Sequence, residues 1–370
     1  MNRAFIGISK TAMNSLYKLF CAQYKRKNMV LFLSRQSEIP SFDFQVLAAQ
    51  VENRGWQAVT HLIRVNSEEN SGSTKAGVGM VPYAFHVLKQ LRLLAQCRMV
   101  VLDRYDPVIG LLEFDEEPVI VQLWHAFGAF KKFGHQSVGT PEGHARATMD
   151  NFNIHGNYNW VAVSGEGART AYAEAFNCPP ERVVVFNRPE LFELLEFRRV
   201  LGSVSAEQQD KRVLFAPTLR KDSTSPHPFK QLYTHSQRLE AGLQARPVWS
   251  FHPLEEGMPA PGNVNDLLLE ANVVVTDYSS IVYEAYLLGK PVVFYTPDIE
   301  SYAVSPGLNA NPLKLCPSLC ARTEAELTGL INWALENPGA ALQAFEPFAR
   351  PAFEGARTAP SDVLATFYRK

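Results

Sequence analysis

Three predicted strands in the second half of the chain end in side chains that can hold a phosphate. Arg220 and His252 each follow a short apolar run, and Ser279 and Ser280 open the helix after a third run. Because the carboxyl ends of parallel strands meet at one edge of a sheet, we expect these side chains to converge. An arginine, a histidine and a helix start bearing hydroxyls favour a diphosphate site. Helix capping by the serines is the simpler alternative.

One histidine in the first half also follows a predicted strand. His125 comes after the strand 118–123, at the edge where open α/β sheets collect their ligands. Its imidazole has a pKa near the working range of a general base, and Lys131 can meet an anionic group. A hydrogen-bonded core histidine beside Trp124 is the alternative interpretation.

The elements that must position these residues alternate between strand and helix, and the predicted strands include 29–33, 59–65 and 292–295. This alternation predicts an α/β fold with parallel sheets and helices on both faces. It restarts at Arg212, after a charged helical connector near 190–210. We therefore divide the chain into an N-terminal segment 1–27, a first domain 28–195, a second domain 205–350 and a C-terminal helix within 351–370.

Two segments lack a clear hydrophobic period. Residues 66–79 are rich in Ser, Gly, Asn and Glu and predict a loop. Residues 134–159 contain three histidines and many small polar residues, and we predict a mobile active-site loop or acceptor lid there.

The composition excludes several classes of protein. Lys plus Arg total 36 against 37 Asp plus Glu, so no global positive field favours nucleic acid. Five scattered cysteines without a CxxC pattern are typical of reduced thiols in a cytoplasmic protein. Cys316 and Cys320 could be two metal ligands, but without a second pair free thiols are favoured. No apolar run is long enough to span a bilayer, and no cleavable secretory signal is present.

The N-terminal segment 1–27 has the pattern of a basic amphipathic helix. Apolar residues such as Leu16 and Leu19 recur at helical spacing beside cations such as Lys10 and Lys18. Such a helix can bind an anionic membrane surface, each cation contributing on the order of 1 kcal/mol. This predicts a cytoplasmic protein, peripheral on the inner face of the cell membrane. A helix packed on its own domain, with the lysines in water, is the alternative.

Five motifs in series resemble the CDP-glycerol glycerophosphotransferase family, the polyol-phosphate transferases of teichoic acid and related polymers. They occur in order between about 29 and 312, and any one alone would be weak evidence. The motifs are QLWHAFGAFKKFG, VLFAPTLR, the Phe251-His252-Pro253 triplet, TDYSSIVYEAYLLGKPVVFY and the segment PDIESY.

The resemblance implies a GT-B architecture, with two Rossmann-like, doubly wound parallel-sheet domains facing each other across a cleft. It also implies transfer of glycerol or ribitol phosphate from a CDP-polyol to a hydroxyl of a lipid-linked saccharide or polymer acceptor. CMP is released, in the synthesis of a cell-wall or capsule polymer. An ordinary nucleotide-sugar glycosyltransferase of the same architecture and a noncatalytic nucleotide-binding membrane adaptor are the alternatives.

The resemblance also assigns roles by position. His125 matches the family's catalytic histidine, the expected general base. The positions that match residues holding the pyrophosphate are His252, Arg220, Ser279 and Ser280, of which we also expect His252 to act in catalysis.

Four further residues lie within the same motifs. Thr218 and Asp277 are expected to support the phosphate site without contacting the ligand. Asp298 and Glu300 match an acidic segment near the nucleotide or the polyol. The residues assigned to the phosphate site require no cofactor. Participation of a divalent metal ion is an alternative, because such ions often accompany diphosphates.

Because of two departures from the family pattern, the motifs do not identify which polyol is transferred. The chain reads SPGLN at 305–309, where the family usually has an Arg-Gly pair, and Ala-Phe-Gly after His125, where Gly-Thr-Pro is common. The long extra N-terminal domain of the large polymerases is also lacking. A priming enzyme, a single-linkage transferase and a polymerase therefore all remain open.

Overall fold

Among the residues that the structure describes, the strands form two parallel sheets, of six and five strands. The structure is a computed structural model, and it describes residues 3–65, 80–203, 210–220, 227–252, 255, 257–258, 262 and 264–368. The predicted loop 66–79 and Pro253 lie outside these residues.

The first sheet contains β1 (Met29–Ser34), β2 (Gln57–Leu62), β3 (Met99–Leu102), β4 (Val119–Gln122), β5 (Trp160–Val163) and β6 (Val183–Val185). The second contains β7 (Arg212–Phe215), β8 (Arg246–Trp249), β9 (Val273–Thr276), β10 (Val292–Tyr295) and β11 (Cys320–Ala321).

Helices connect these strands and cover both sheets. The helices of the described ranges are α1 (Arg3–Gln23), α2 (Phe42–Asn53), α3 (Met80–Gln96), α4 (Pro107–Leu111), α5 (Arg146–Phe152), α6 (Arg169–Ala175), α7 (Pro189–Ser203), α8 (Pro228–Thr234), α9 (Ser236–Gly242), α10 (Val264–Glu270), α11 (Ile281–Leu287), α12 (Ile299–Tyr302), α13 (Pro312–Leu315), α14 (Glu324–Glu336), α15 (Pro338–Ala349) and α16 (Val363–Phe367).

Local sequence explains where several of these elements lie. The strands β1, β3 and β9 are apolar except for a hydroxyl residue at the end of β1 and of β9. Every residue in them is buried, as a strand covered on both faces requires. Helix α2 begins after Ser41, whose side chain accepts the N–H of Phe44. Helix α14 begins with a capping box between Thr323 and Glu326.

The strand order fixes where each sheet can bind a ligand. It is β2-β1-β3-β4-β5-β6 in the first sheet and β8-β7-β9-β10-β11 in the second, and neighbouring strands are parallel. The chain therefore reverses direction across the sheet between β1 and β3, and between β7 and β9. Ligands of open α/β sheets bind beyond the carboxyl ends of the strands at such points. The predicted α/β fold with two parallel sheets is confirmed.

The C-terminal segment packs against the first sheet. Val363 and Phe367 on α16 belong to the same buried apolar cluster as Val30 and Phe32 of β1. Asp362 forms an ion pair with Arg54 at 2.7 Å. The chain thus crosses back to the first half after building the second sheet.

Two expectations need correction. The strand predicted at 59–65 lies at Gln57–Leu62, because β2 is an edge strand whose residues are only partly buried and give a weak apolar pattern. The segment 134–159, predicted as a mobile active-site loop or acceptor lid, is helical in part. It contains α5, and His155 within it is a buried core residue with 8% of its surface exposed.

Helix α1 packs on the first half with one face and leaves the other in solvent. Tyr17 is buried, and Met13 and Phe20 pack against the same cluster. Leu16 and Leu19 stay 40% and 60% exposed. The packed-helix alternative therefore holds for one face of α1.

Candidate active site

His125 is placed by a backbone turn directly after β4. The preceding residue, Trp124, has a left-handed conformation with φ of 59°. Its N–H donates to Gln122 Oε1 at 2.9 Å, and its carbonyl accepts from a terminal nitrogen of Arg188 at 3.0 Å. A left-handed tryptophan costs on the order of 1–3 kcal/mol and persists only where its surroundings hold it. These contacts turn the imidazole out of the sheet, where it is exposed.

Several effects lower the pKa of His125 well below its ordinary value. The deep position of the ring disfavours the charged form most, and the cations Arg104 and Arg188 add to this. A hydrogen bond with the main-chain carbonyl of Asp103 opposes them in part. Although the ring faces solvent in the cleft, protein surrounds it on its other sides. His125 is therefore neutral at pH 7, the form that a general base requires.

The loop after His125 is anchored in the other half of the molecule. Phe127 and Phe130 are buried in the core cluster of the second sheet, and the Phe130 ring meets Phe348 edge-on at 4.8 Å. At Gly128 a Cβ atom would lie 2.3 Å from the ring of Tyr283. This contact fixes the position of His125 relative to the second sheet.

The segment after His125 and the segment 305–309 both depart from the family pattern, and they contact each other where the two halves meet. Lys131 pairs with Leu308 in an isolated antiparallel bridge, and Lys132 N–H donates to the Gly307 carbonyl at 2.9 Å. Lys131 also adds to the positive field at both His125 and His252. It therefore lies near the facing strand ends.

A neighbouring amide pair strengthens this contact. The side chains of Gln136 and Asn309 exchange hydrogen bonds of 2.9 and 3.1 Å. Asn309 N–H also donates to the Phe130 carbonyl at 2.9 Å.

In the second half, Asp277 links two strand ends. One carboxylate oxygen accepts the N–H of Thr218 at 2.8 Å and that of Tyr278 at 2.7 Å. The other lies 2.8 Å from a terminal nitrogen of Arg220. Asp277 is fully buried and Thr218 is 6% exposed, so both lie behind the surface of the cleft.

Arg220 is held between two carboxylates and two aromatic rings. It reaches Asp298 at 2.8 Å as well as Asp277, and its side chain is only 7% exposed. The guanidinium lies 5.3 Å from the ring centroid of Tyr278 and 4.6 Å from that of Tyr302, and the two rings stack at 3.8 Å. The structure therefore places Arg220 beneath the turn that carries the serines, with its charge balanced.

Ser279 and Ser280 precede α11. Ser279 Oγ accepts the N–H of Ile281 at a long 3.4 Å, and Ser280 makes no side-chain cap. Both residues are half-buried. Simple capping thus engages the two hydroxyls only weakly.

His252 follows β8 and is exposed toward the cleft. Burial lowers its pKa most, and Glu255 opposes this while Lys131 and Arg104 of the first half reinforce it. Glu255 also accepts the N–H of Arg220 at 3.2 Å and lies 2.5 Å from Lys230 Nζ.

One cavity of about 530 Å³ brings the two halves together. Its wall includes His125 from the first half and His252, Ser279 and Ser280 from the second. The lining side chains that the sequence analysis missed include Gln36, Arg104, Glu190 and Glu284. No lining residue comes from 134–159, so the predicted lid does not form this wall.

Asp298 and Glu300 lie outside the cavity wall. Asp298 accepts a hydrogen bond from the Tyr278 hydroxyl at 3.0 Å in addition to its pair with Arg220. Glu300 is exposed and pairs with Arg322 at 2.6 Å.

A second cavity, of about 340 Å³, lies between α6 and α15. It is lined mostly by small or apolar side chains such as Ala129, Ala171 and Phe348. Its titratable lining residues are Glu174 and Tyr283. It therefore lacks the convergent polar groups of the first cavity. Across the described ranges, no group of three or more His, Cys, Asp or Glu is arranged to hold a metal ion.

Two parallel sheets facing across a cleft, with polar side chains on both sets of strand ends, define a GT-B enzyme. A solved structure of the wall teichoic acid polymerase TagF, after a soak with CDPG, has the same fold. It aligns with a TM-score of 0.63 and 17% identity, over 95% of this chain and 94% of that one.

The chain belongs to the CDP-Glycerol:Poly(glycerophosphate) glycerophosphotransferase family, whose sequence model matches residues 15–354. It is 27% identical over 323 residues to the teichoic acid ribitol-phosphate primase of Bacillus spizizenii, covering 82% of this chain and 80% of the primase. It is 26% identical over 258 residues to the teichoic acid glycerol-phosphate primase of the same organism, covering 64% and 66%. The family and enzyme class predicted from the motifs are confirmed.

Proposed function

We propose that this protein transfers a polyol phosphate from a CDP-polyol to a hydroxyl of a lipid-linked acceptor and releases CMP. The observation that carries the proposal is the shared cavity. It brings His125 of the first half to the same space as His252, Ser279 and Ser280 of the second. An acceptor hydroxyl beside the imidazole and a diphosphate beside the serines would then lie within one site.

The proposed step exchanges one phosphorus–oxygen bond for another. The acceptor oxygen attacks the β-phosphorus while His125 takes the hydroxyl proton. The bond from that phosphorus to the bridging oxygen breaks, and CMP leaves with the bonding pair. A general base contributes roughly a hundred- to ten-thousand-fold to such a step.

The second sheet supplies fixed donors for the charge on the departing phosphate. We assign contact with the diphosphate to His252 and to the hydroxyls of Ser279 and Ser280. Thr218, Asp277 and Arg220 then support the turn from behind, together with Asp298. Fixed donors of this kind each contribute a few kcal/mol, on the order of 2.7–4, where water is excluded.

A panel of CDP-, UDP- and GDP-linked donors, scored for nucleotide release with a lipid-linked acceptor, tests this function. We expect CMP from CDP-glycerol or CDP-ribitol. Release of UDP or GDP alone would instead identify a nucleotide-sugar glycosyltransferase. Binding without release from any donor would identify a noncatalytic protein.

We also propose that the exposed face of α1 and the neighbouring α3 rests on an anionic membrane surface. Phe85 and Leu88 of α3 are 69% and 41% exposed. Helix α3 contacts α1, where Leu16 and Leu19 are exposed as well. No described helix is long and apolar enough to cross a bilayer. Exposed apolar side chains on a helix that also carries the exposed Lys18 suit the interface of a membrane.

Vesicle sedimentation tests the membrane proposal. Leu19→Glu should reduce binding to vesicles containing phosphatidylglycerol, while Val304→Glu, at a site 83% exposed on the second half, should not. Equal binding by the wild type and Leu19→Glu would contradict the proposal.

A further inference from the structure

Arg104 places a cation in the cleft on the same side as His125. It follows β3 at the point where the first sheet reverses its strand order, and its side chain lines the shared cavity. Its Nε donates to Gln36 Oε1, and its carbonyl accepts from Gln122 Nε2 at 3.2 Å. The two terminal nitrogens have no hydrogen-bond partner among the residues described.

Arg188 and Arg220 also lie near the cleft and form close ion pairs, whereas Arg104 forms none within the described residues. Within the described part of the chain, no carboxylate lies within 4.0 Å of Arg104 as an ion pair. Arg188 and Arg220 each lie between two carboxylates. Those of Arg188 are Asp43 at 3.4 Å and Glu190 at 3.0 Å, and those of Arg220 are Asp277 and Asp298, both at 2.8 Å.

Of the carboxyl groups nearby, Asp103 offsets this charge only in part. Glu190 is bound to Arg188, and burial together with Glu190 raises the pKa of Glu284 to about 8, so Glu284 is neutral at pH 7. Asp103 attracts Arg104 over a longer distance. Burial raises the pKa of Asp103 to about 6, and a hydrogen bond with Ser34 opposes that rise.

We propose that Arg104 binds a phosphate group carried by the acceptor, next to the hydroxyl that His125 deprotonates. The enzyme then prefers an acceptor that ends in a polyol phosphate over one that ends in a neutral saccharide. This inference rests on the proposed function. The donor diphosphate is assigned to the second sheet, so a phosphate on the first sheet belongs to the other substrate. A guanidinium with two unoccupied nitrogens suits the paired oxygens of a phosphate.

Two acceptors on the same lipid test the assignment, one ending in glycerol phosphate and one in glycerol. In Arg104→Gln, kcat/KM for the phosphate-bearing acceptor should fall about 10- to 100-fold, the loss expected for a charge-assisted hydrogen bond. On the alkaline side of the His125 titration, kcat/KM for the neutral acceptor and the KM for the CDP-polyol should not change. Arg104→Lys should lose less, and Arg199→Gln, an exposed charge on α7, should lose nothing. Equal losses with both acceptors, or a higher KM for the donor, would overturn the inference.

Calorimetry separates this inference from the proposed function. With saturating CMP present, the wild type should bind sn-glycerol 3-phosphate more tightly than glycerol, and Arg104→Gln should lose that preference. This result is expected even if no donor is turned over. Equal binding of sn-glycerol 3-phosphate by both proteins, with unchanged circular dichroism, would refute the role of Arg104.

Discussion

The guanidinium of Arg220 lies 2.8 Å from one oxygen of the Asp277 carboxylate, and the other oxygen of that carboxylate accepts the N–H of Thr218 at 2.8 Å. The same arginine reaches Asp298 at 2.8 Å. This network joins the ends of β7 and β9 and fixes the turn before Ser279. Because two carboxylates balance its charge, Arg220 stabilises this turn and does not supply a free cation to the cavity.

Breaking this buried pair should destabilise the protein strongly. Asp277→Asn removes one charge and leaves Arg220 less compensated, which should lower the free energy of unfolding by roughly 3–5 kcal/mol. Urea denaturation followed by circular dichroism measures the loss. The matched control is Glu196→Gln, which breaks the exposed pair with Arg199 and should change the midpoint little. Similar midpoints for the two variants would contradict the structural role of Asp277.

The pH profile should report the cations around His125. Because burial, Arg104 and Arg188 lower its pKa, His125 should stay deprotonated and active below pH 6.5. Arg104→Gln removes one of these cations and should raise that pKa, so the acid limb of kcat/KM moves to higher pH. The neutral acceptor is used so that phosphate binding does not interfere. An acid limb at the same pH in both proteins would exclude this coupling.

Glu284 should make stability depend on pH. Burial and the nearby Glu190 raise its folded-state pKa to about 8, above its ordinary 4.5, so the folded protein holds the proton more tightly than the unfolded chain. This group then contributes stability below pH 4.5 that is lost as the pH rises through 8. Glu284→Gln removes the titration. Relative to the wild type, its unfolding midpoint should therefore be higher at pH 9 than at pH 5. A constant difference would contradict the prediction.

Gly128 should tolerate no side chain. A Cβ there would lie 2.3 Å from the Tyr283 ring, so Gly128→Ala must shift the loop that carries His125. We expect a loss of about 1–3 kcal/mol in stability, together with a lower rate of CMP release. Gly339→Ala is the control, because its Cβ meets nothing within 4 Å on α15. It should keep or slightly raise the stability. Full activity in Gly128→Ala would show that the loop position is not critical.

Much of the fold could be predicted because its strands are short and apolar. The run Val292–Tyr295 was predicted with the bounds of β10, and 29–33 differs from β1 by one residue. The bounds of the edge strand β2 were harder to predict, because residues that face water weaken its apolar pattern.

Candidate site residues could be proposed from the sequence only where they stand at a strand end of the recognised motifs. Arg104 follows a strand as well, but its importance depends on the order of β1 and β3 in the sheet, which no local pattern reveals. Glu284 lies within the predicted helix. Its raised pKa depends on burial and on Glu190, which is 94 positions away in the sequence. The balance of charge at Arg220 likewise depends on Asp277 and Asp298, which are distant in sequence.

The most direct test of the account compares His125→Ala with the wild type for CMP release from CDP-glycerol or CDP-ribitol with a lipid-linked acceptor. Binding of the same CDP-polyol is measured in parallel by calorimetry. We predict that release falls by a hundred-fold or more, roughly the contribution of a general base, while the Kd for the donor is unchanged. Wild-type release by His125→Ala, with the donor bound as before, would contradict the central role of this histidine.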